Sequence, residues 1–150
     1  MKYTIRPATQ IDHNELLQFT RLQIMQRYPR RLRRDENKIA DGLKTVIGSG
    51  QHYAMVLVNE AEGKIVGALL AVSTDALWVE GKSCQIVLWV SYAPGGGREL
   101  LKRFKKWVIG RRSNIQVAGF AMDVDVDRRA WALAERVGFK RYGSAYLHYN

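Results

Sequence analysis

The sequence predicts an α/β fold of the α+β kind, a mixed sheet with helices packed on its faces, and three observations carry that reading. Apolar runs rich in Val, Ile, Leu and Tyr recur as HYAMVLV, KIVGALLAV, CQIVLWVSY and IQVAGFAMDV, which is the composition of buried strands. Between and around them stand segments with apolar residues at helical spacing, giving the order βααβββαβαβ, which requires helices laid on a sheet. The 150 residues are 47% hydrophobic and 25% charged, enough to build a core, and no linker or repeat divides them, so residues 1–150 are expected to form one domain.

The elements follow in order. KYTIRPA alternates as a short first strand, and Asp12 with Glu15 three residues later resembles a helix cap ahead of Leu16, Leu17, Leu22, Ile24 and Met25. This first helix should run to about Arg27, with Pro29 ending it, and a second helix is expected from about Asp35 to Ile47, before the GSG at 48–50. HYAMVLV and KIVGALLAV, joined by NEAEG, read as a hairpin, and CQIVLWVSY as a strand buried on both faces. After three glycines, Leu100, Leu101, Phe104, Trp107 and Val108 mark an amphipathic helix to about residue 111. IQVAGFAMDV is the next strand. Ala130, Leu133, Ala134 and Val137 form one face of a helix that stops at Gly138, and SAYLHY closes the chain as a strand.

The formal net charge of +10 attracts phosphate-rich partners without choosing among nucleotides, nucleic acid and anionic surfaces. No apolar stretch reaches the roughly 20 residues of a membrane span, and MKYTIRPATQ lacks a signal-peptide core, so the expected setting is cytoplasmic, with no membrane partner. The single cysteine, Cys84, falls within an apolar run and reads as a small buried residue.

The stretch SYAPGGGREL, residues 91–100, places Gly95, Gly96 and Gly97 between a strand and a helix. Such a turn has two readings. It is a plain connection, or it presents unpaired amides and the positive end of a helix dipole to a phosphate. The P-loop pattern is absent, since Arg98 and Glu99 follow the glycines, and GxGxxG fails at Leu100.

Around this loop the chain resembles the GNAT-type (Gcn5-related) N-acetyltransferases, and the resemblance covers nearly all of it. Tyr92-Ala93-Pro94-Gly95-Gly96-Gly97 is similar to that family's pyrophosphate loop, Q/R-x-x-G-x-G/A, with tyrosine in place of Gln or Arg. DRRAWALAERVGFKRYG is similar to a late family segment through Asp127, Ala130, Leu133, Gly138, Phe139 and Gly143. The resemblance implies a mostly antiparallel twisted sheet, with acetyl-CoA or a related acyl-CoA lying where two central strands splay. Its pantetheine would pair with backbone at Val90, Ser91 and Tyr92, and its pyrophosphate would sit on the amides of Gly95, Gly96, Gly97 and Arg98. Arg98 and Lys102 offer added charge, or belong to a solvated helix face. Substitution of Gly95 and Gly97 by bulkier residues is expected to abolish cofactor binding.

The implied reaction is acetyl transfer from acetyl-CoA to an amine, assisted by a carboxylate base and a tyrosine acid. The position where the family commonly carries that tyrosine holds Ala134, which has no proton to give, and CQIVLWVSY contains no carboxylate. Glu80, Tyr92, Tyr142 and Tyr146 are the substitutes at hand, none specified by spacing and each first a surface carboxylate or packing aromatic, so no catalytic residue is assigned. Asp123, Asp125 and Asp127 alternate on one strand face, as a cation site or as a solvated strand end with Asp127 capping the next helix. His13, His52 and His148 have no metal-ligand spacing, and no metal is expected. Arg27, Arg30, Arg31, Arg33 and Arg34 crowd the connection between the first two helices, either as a solvated basic loop or as a selector for an acidic acceptor, nucleic acid or acidic protein surface. The leading reading is an N-acetyltransferase with an unidentified amine acceptor. Its rivals are a GNAT-fold binding or structural module that has lost its chemistry and a basic nucleic-acid-binding protein. A homodimer is compatible with each.

Overall fold

The strand-forming runs pair in chain order. In a computed structural model describing residues 1–27, 35–78, 80–111, 114–120 and 128–141, β1 (Tyr3–Pro7), β2 (Tyr53–Asn59), β3 (Ile65–Asp75), β4 (Lys82–Ser91) and β5 (Ile115–Gly119) form one sheet. β1 to β4 are antiparallel neighbours, and β5 joins β4 in parallel. A parallel neighbour needs a crossover, and α3 (Gly96–Gly110) supplies it. The mixed, mostly antiparallel sheet agrees with the expected fold class. The strand expected at SAYLHY and the last four residues of IQVAGFAMDV lie outside the described residues.

α1 (His13–Arg27) and α2 (Glu36–Gly48) cover one face of the sheet. Their Leu16, Phe19 and Leu43 pack with Val56, Ala68, Leu70 and Leu88. α3 and α4 (Arg128–Val137) cover the other, where Leu100, Leu101 and Phe104 are fully buried against Tyr53, Leu57, Leu69 and Cys84. The expected stripe on α3 is therefore the buried one. Asp35 caps α2 by accepting from the Lys38 amide at 3.0 Å, and Gly138, at φ 99°, ends α4 in the left-handed region that favours glycine.

Two local expectations need correction. The chain enters α1 through a single 3-10 turn at Gln10–Asp12, and Asp12 bonds backward, to the Thr9 amide at 2.8 Å and to both terminal nitrogens of Arg6. Glu15 leaves the helix end altogether and accepts from the Ile65 amide at 2.6 Å, fastening α1 to β3. The buried line of α1 is Leu16, Phe19 and Gln23, with Leu22 and Met25 exposed, because Gln23 turns inward to donate to the Tyr92 hydroxyl.

β4 buries Cys84 on one face and Leu88 on the other, but its burial is interrupted, with Gln85 and Val87 exposed. The reason is a β-bulge. Leu70 pairs with Leu88 and Ala71 with Ile86, which leaves Val87 as an extra residue. Side-chain parity changes there: Cys84 and Ile86 face α3 before the bulge, and after it Trp89 faces α3 while Leu88 and Val90 face α1 and α2.

Candidate functional site

The described pairing of β5 with β4 ends just before the bulge. β5 pairs with β4 only from Lys82 to Gln85, so among the described residues the stretch Ile86–Ser91 has no strand beside it on that edge. The Tyr92 amide donates to the Val66 carbonyl at 2.8 Å, which sets the alternation of the ladder. By that alternation Val90 bonds toward β3, and the N–H and C=O groups of Trp89 and Ser91 point to the open edge. An extended amide-bearing ligand laid along this edge would find the backbone partners of a missing strand. The resemblance implies pantetheine pairing at Val90, Ser91 and Tyr92; by this alternation Trp89 and Ser91 face that edge, and Val90 and Tyr92 turn inward to β3.

The open edge runs directly into the glycine loop, whose residues divide the work. Gly95 has φ 74°, a conformation that disfavours other residues, and caps α3. Gly96 is buried: a Cβ there would lie 2.5 Å from Leu57 Cδ2 and 2.6 Å from Ser91 Oγ. Its amide donates to the Ala93 carbonyl at 3.0 Å, so Gly96 gives the loop its shape and does not offer a free donor. The amides of Gly95, Gly97 and Arg98 have no acceptor among the described residues. They stand together at the positive end of a 15-residue helix, where an anion is favoured. The Arg98 side chain is exposed, whereas Lys102 pairs with Glu99 at 3.6 Å.

Side chains lock this loop from three directions. Ser91 Oγ donates to the Ala93 carbonyl and accepts from the Ala93 amide, closing a tight turn. The Tyr92 hydroxyl accepts from Gln23 Nε2 at 2.8 Å, and its ring meets Phe19 edge-on at 5.7 Å, which ties the loop to α1. Tyr92 is thus directed toward α1, away from the free amides. Trp89 Nε1 donates to the Gly97 carbonyl at 2.9 Å, and the indole packs edge-to-face on Phe120 at 5.6 Å, across the opening from β4 to the end of β5. A Cβ on Gly97 would stand 3.6 Å from Trp89 Nε1, ordinary contact, so a methyl group fits there and the third glycine is less demanding than the second.

On the other sheet face a pocket of about 370 Å³ opens beside the bulge, between α1, α2, β3 and β4. Thr20, Leu43, Val46, His52, Leu70 and Val87 are among its walls, so its lining is largely apolar. His52 Nδ1 accepts from the Ser73 amide at 3.1 Å; a backbone N–H only donates, so the neutral ring carries its proton on Nε2.

Of the described acid–base substitutes, Tyr92 is at the loop with its hydroxyl bonded to Gln23, and Glu80 is far from it. Glu80 lies in the β3–β4 turn, at the far end of β4 from the loop, roughly 30 Å away along the strand. Ala134 is buried in the core beneath α3. Tyr142, Tyr146, Asp123, Asp125, Asp127, His148 and the arginines at 30, 31, 33 and 34 lie outside the described residues, and of Arg27 only the backbone is described. His13 bonds to the Ala40 carbonyl, separate from His52, and no group of three potential metal ligands occurs among the described residues. No described helix is long and apolar enough to cross a membrane.

Sequence reasoning missed Trp89, Gln23 and the Val87 bulge. Trp89 and Val87 sit inside an apolar run that gives no sign of a register change. Gln23 did carry a signal, being a polar residue four positions after Phe19 on the face that must be buried.

No family model and no curated protein matches the chain. Solved structures do. A predicted acetyltransferase with acetyl-CoA from Clostridium acetobutylicum aligns over 99% of this chain and 96% of its own at TM-score 0.77 and 11% identity. Glucosamine-6-phosphate N-acetyltransferase from Arabidopsis thaliana aligns over 99% of both chains at TM-score 0.72 and 14% identity. A GNAT family acetyltransferase from Staphylococcus aureus aligns over the whole of both at TM-score 0.64 and 18% identity. The mixed five-stranded sheet, the glycine loop capping α3 and these full-length alignments agree: the chain has the fold of the GNAT-type acetyltransferases.

Proposed function

We propose that residues 1–150 form a single domain that binds acetyl-CoA, or a related acyl-CoA, and transfers the acyl group to an amine. The observation that carries this reading is the continuity of two features: a β4 edge at Trp89 and Ser91 running straight into the amides of Gly95, Gly97 and Arg98, edge and amides alike having no partner among the described residues. Pantetheine carries amides that match the edge, and the pyrophosphate that follows it matches an anion site at a helix N-terminus. Gly96 supports the fit, because its missing Cβ is what lets the loop close on Ser91 and Leu57.

The acceptor would enter from the α1 and α2 side, through the pocket at the Val87 bulge. Its amine nitrogen attacks the thioester carbonyl carbon, the C–S bond breaks, and the proton lost by nitrogen ends on the departing sulfur, giving the amide and the free thiol of CoA. Holding amine and thioester together supplies a large part of the rate without a dedicated acid. A second reading keeps the binding and drops the chemistry, and Ala134 with the carboxylate-free β4 favours it.

Isothermal titration with acetyl-CoA tests the first step. Micromolar or tighter binding, followed by acetylation of members of an amine panel, supports the transferase; binding without turnover on any amine supports the second reading. Absence of binding overturns both.

A further inference from the structure

We infer that Trp89 is a positioning residue for the anion site: its indole N–H holds the Gly97–Arg98 peptide so that the Arg98 amide is aimed out of the loop at a pyrophosphate. This rests on the acyl-CoA reading above. The argument begins with the planarity of the peptide unit. The carbonyl of Gly97 and the amide of Arg98 belong to one trans peptide and point in opposite directions, so whatever fixes one fixes the other. Trp89 Nε1 donates to that carbonyl at 2.9 Å, from the strand lying beneath the helix.

A carbonyl in the first turn of a helix already has a helical donor available, and its second lone pair is what the indole takes. The extra bond therefore orients the peptide. The indole is itself immobilised by its edge-to-face contact with Phe120 at 5.6 Å, and Phe120 meets Phe139 at 5.5 Å. Gly97 lies in direct contact range of the indole, since a Cβ there would stand 3.6 Å from Nε1. Trp89 also offers its own backbone to the open edge of β4, so one residue links the pantetheine side of the cleft to the phosphate side.

The test is Trp89→Phe, which keeps an aromatic ring against Phe120 and removes only the donor. Two probes are titrated into wild type and variant: acetyl-CoA, and S-acetylpantetheine, which lacks the pyrophosphate and nucleotide. The expected result is affinity for acetyl-CoA weakened about tenfold with affinity for S-acetylpantetheine unchanged, the size of one displaced charge-facing donor. A general packing defect weakens both probes equally, and equal weakening or no weakening overturns the inference.

A second measurement needs no variant. In amide-resolved NMR of the wild-type protein, the Trp89 indole N–H and the Arg98 amide are expected to shift along one saturation curve with acetyl-CoA. S-acetylpantetheine should leave the Arg98 amide unmoved. An indole resonance that stays fixed while the Arg98 amide moves overturns the assignment. Wild-type protein that binds acetyl-CoA while failing these tests leaves the proposed function standing, whereas wild-type protein that does not bind it removes both.

Discussion

Gly96→Ala is the sharpest single perturbation of the loop, because the structure fixes what the new methyl group must meet. A Cβ at this position lies 2.5 Å from Leu57 Cδ2 and 2.6 Å from Ser91 Oγ, both well inside van der Waals contact. Neither neighbour is free to yield. Leu57 is fully buried in the core under α3, and Ser91 Oγ is engaged by both the amide and the carbonyl of Ala93. Overpacking at a site this enclosed costs about 2 kcal/mol, which for a domain of this length lowers Tm by roughly 4 to 8 °C. Gly97→Ala is the matched control: its methyl group meets nothing closer than 3.6 Å and it sits in the first turn of a helix, so Tm should hold or rise slightly. Thermal unfolding followed by circular dichroism compares the two variants directly, and acetyl-CoA titration on each reports whether a displaced loop still binds. Equal melting temperatures for Gly96→Ala and wild type would refute the close-packing account of this loop.

Gly95→Ala forces a side chain into φ 74° and should cost about 1 kcal/mol, read as a lower urea midpoint; no change would show that the loop relaxes to another conformation. Tyr92→Phe removes the acceptor of the Gln23 side chain, a residue only 6% exposed, while keeping the ring on Phe19, and should cost about 1 to 2 kcal/mol in the same assay. Asp12 carries a pH dependence: hydrogen bonding from Arg6 holds its carboxyl down at about 2, below the ordinary value near 4. A depressed carboxyl stabilises the fold above its unfolded pKa and loses that contribution as pH falls. Wild-type stability should therefore drop by about 2 kcal/mol between roughly pH 5 and pH 2, and Asp12→Asn should flatten that part of the urea-midpoint profile.

Much of the fold was legible in the sequence because its elements are locally consistent. Asp35 stands where a helix begins, Gly138 where one ends, and the α3 stripe repeats at helical spacing. The glycine loop was legible as a place, and Gly95 as a residue with a special backbone. What could not be read was the division of labour inside it. Gly96 serves packing because Leu57, almost forty positions earlier, arrives beneath it, and the Gly97 carbonyl accepts from an indole on β4. Asp12 and Glu15 matched a local capping pattern, but Arg6 and the Ile65 amide offered stronger partners once the sheet had formed. The Val87 bulge has no local signature either, since the pairing of two strands creates it.

That one surplus residue sets the handedness of everything after it. Were Val87 removed, β4 would remain a strand of nearly the same length, yet its last residues would each rotate to the opposite face. The Trp89 indole and the Ser91 hydroxyl would be delivered to the side of α1 and α2, far from Gly97 and Ala93, while Leu88 and Val90 would turn under α3. A deletion of sixteen atoms, counting hydrogens, in a strand's middle would thus unlatch a loop at its end. The insertion acts as a half-turn coupling in the strand, letting a single ribbon of backbone wall the apolar pocket with Val87 and hold the glycine loop with Trp89 and Ser91.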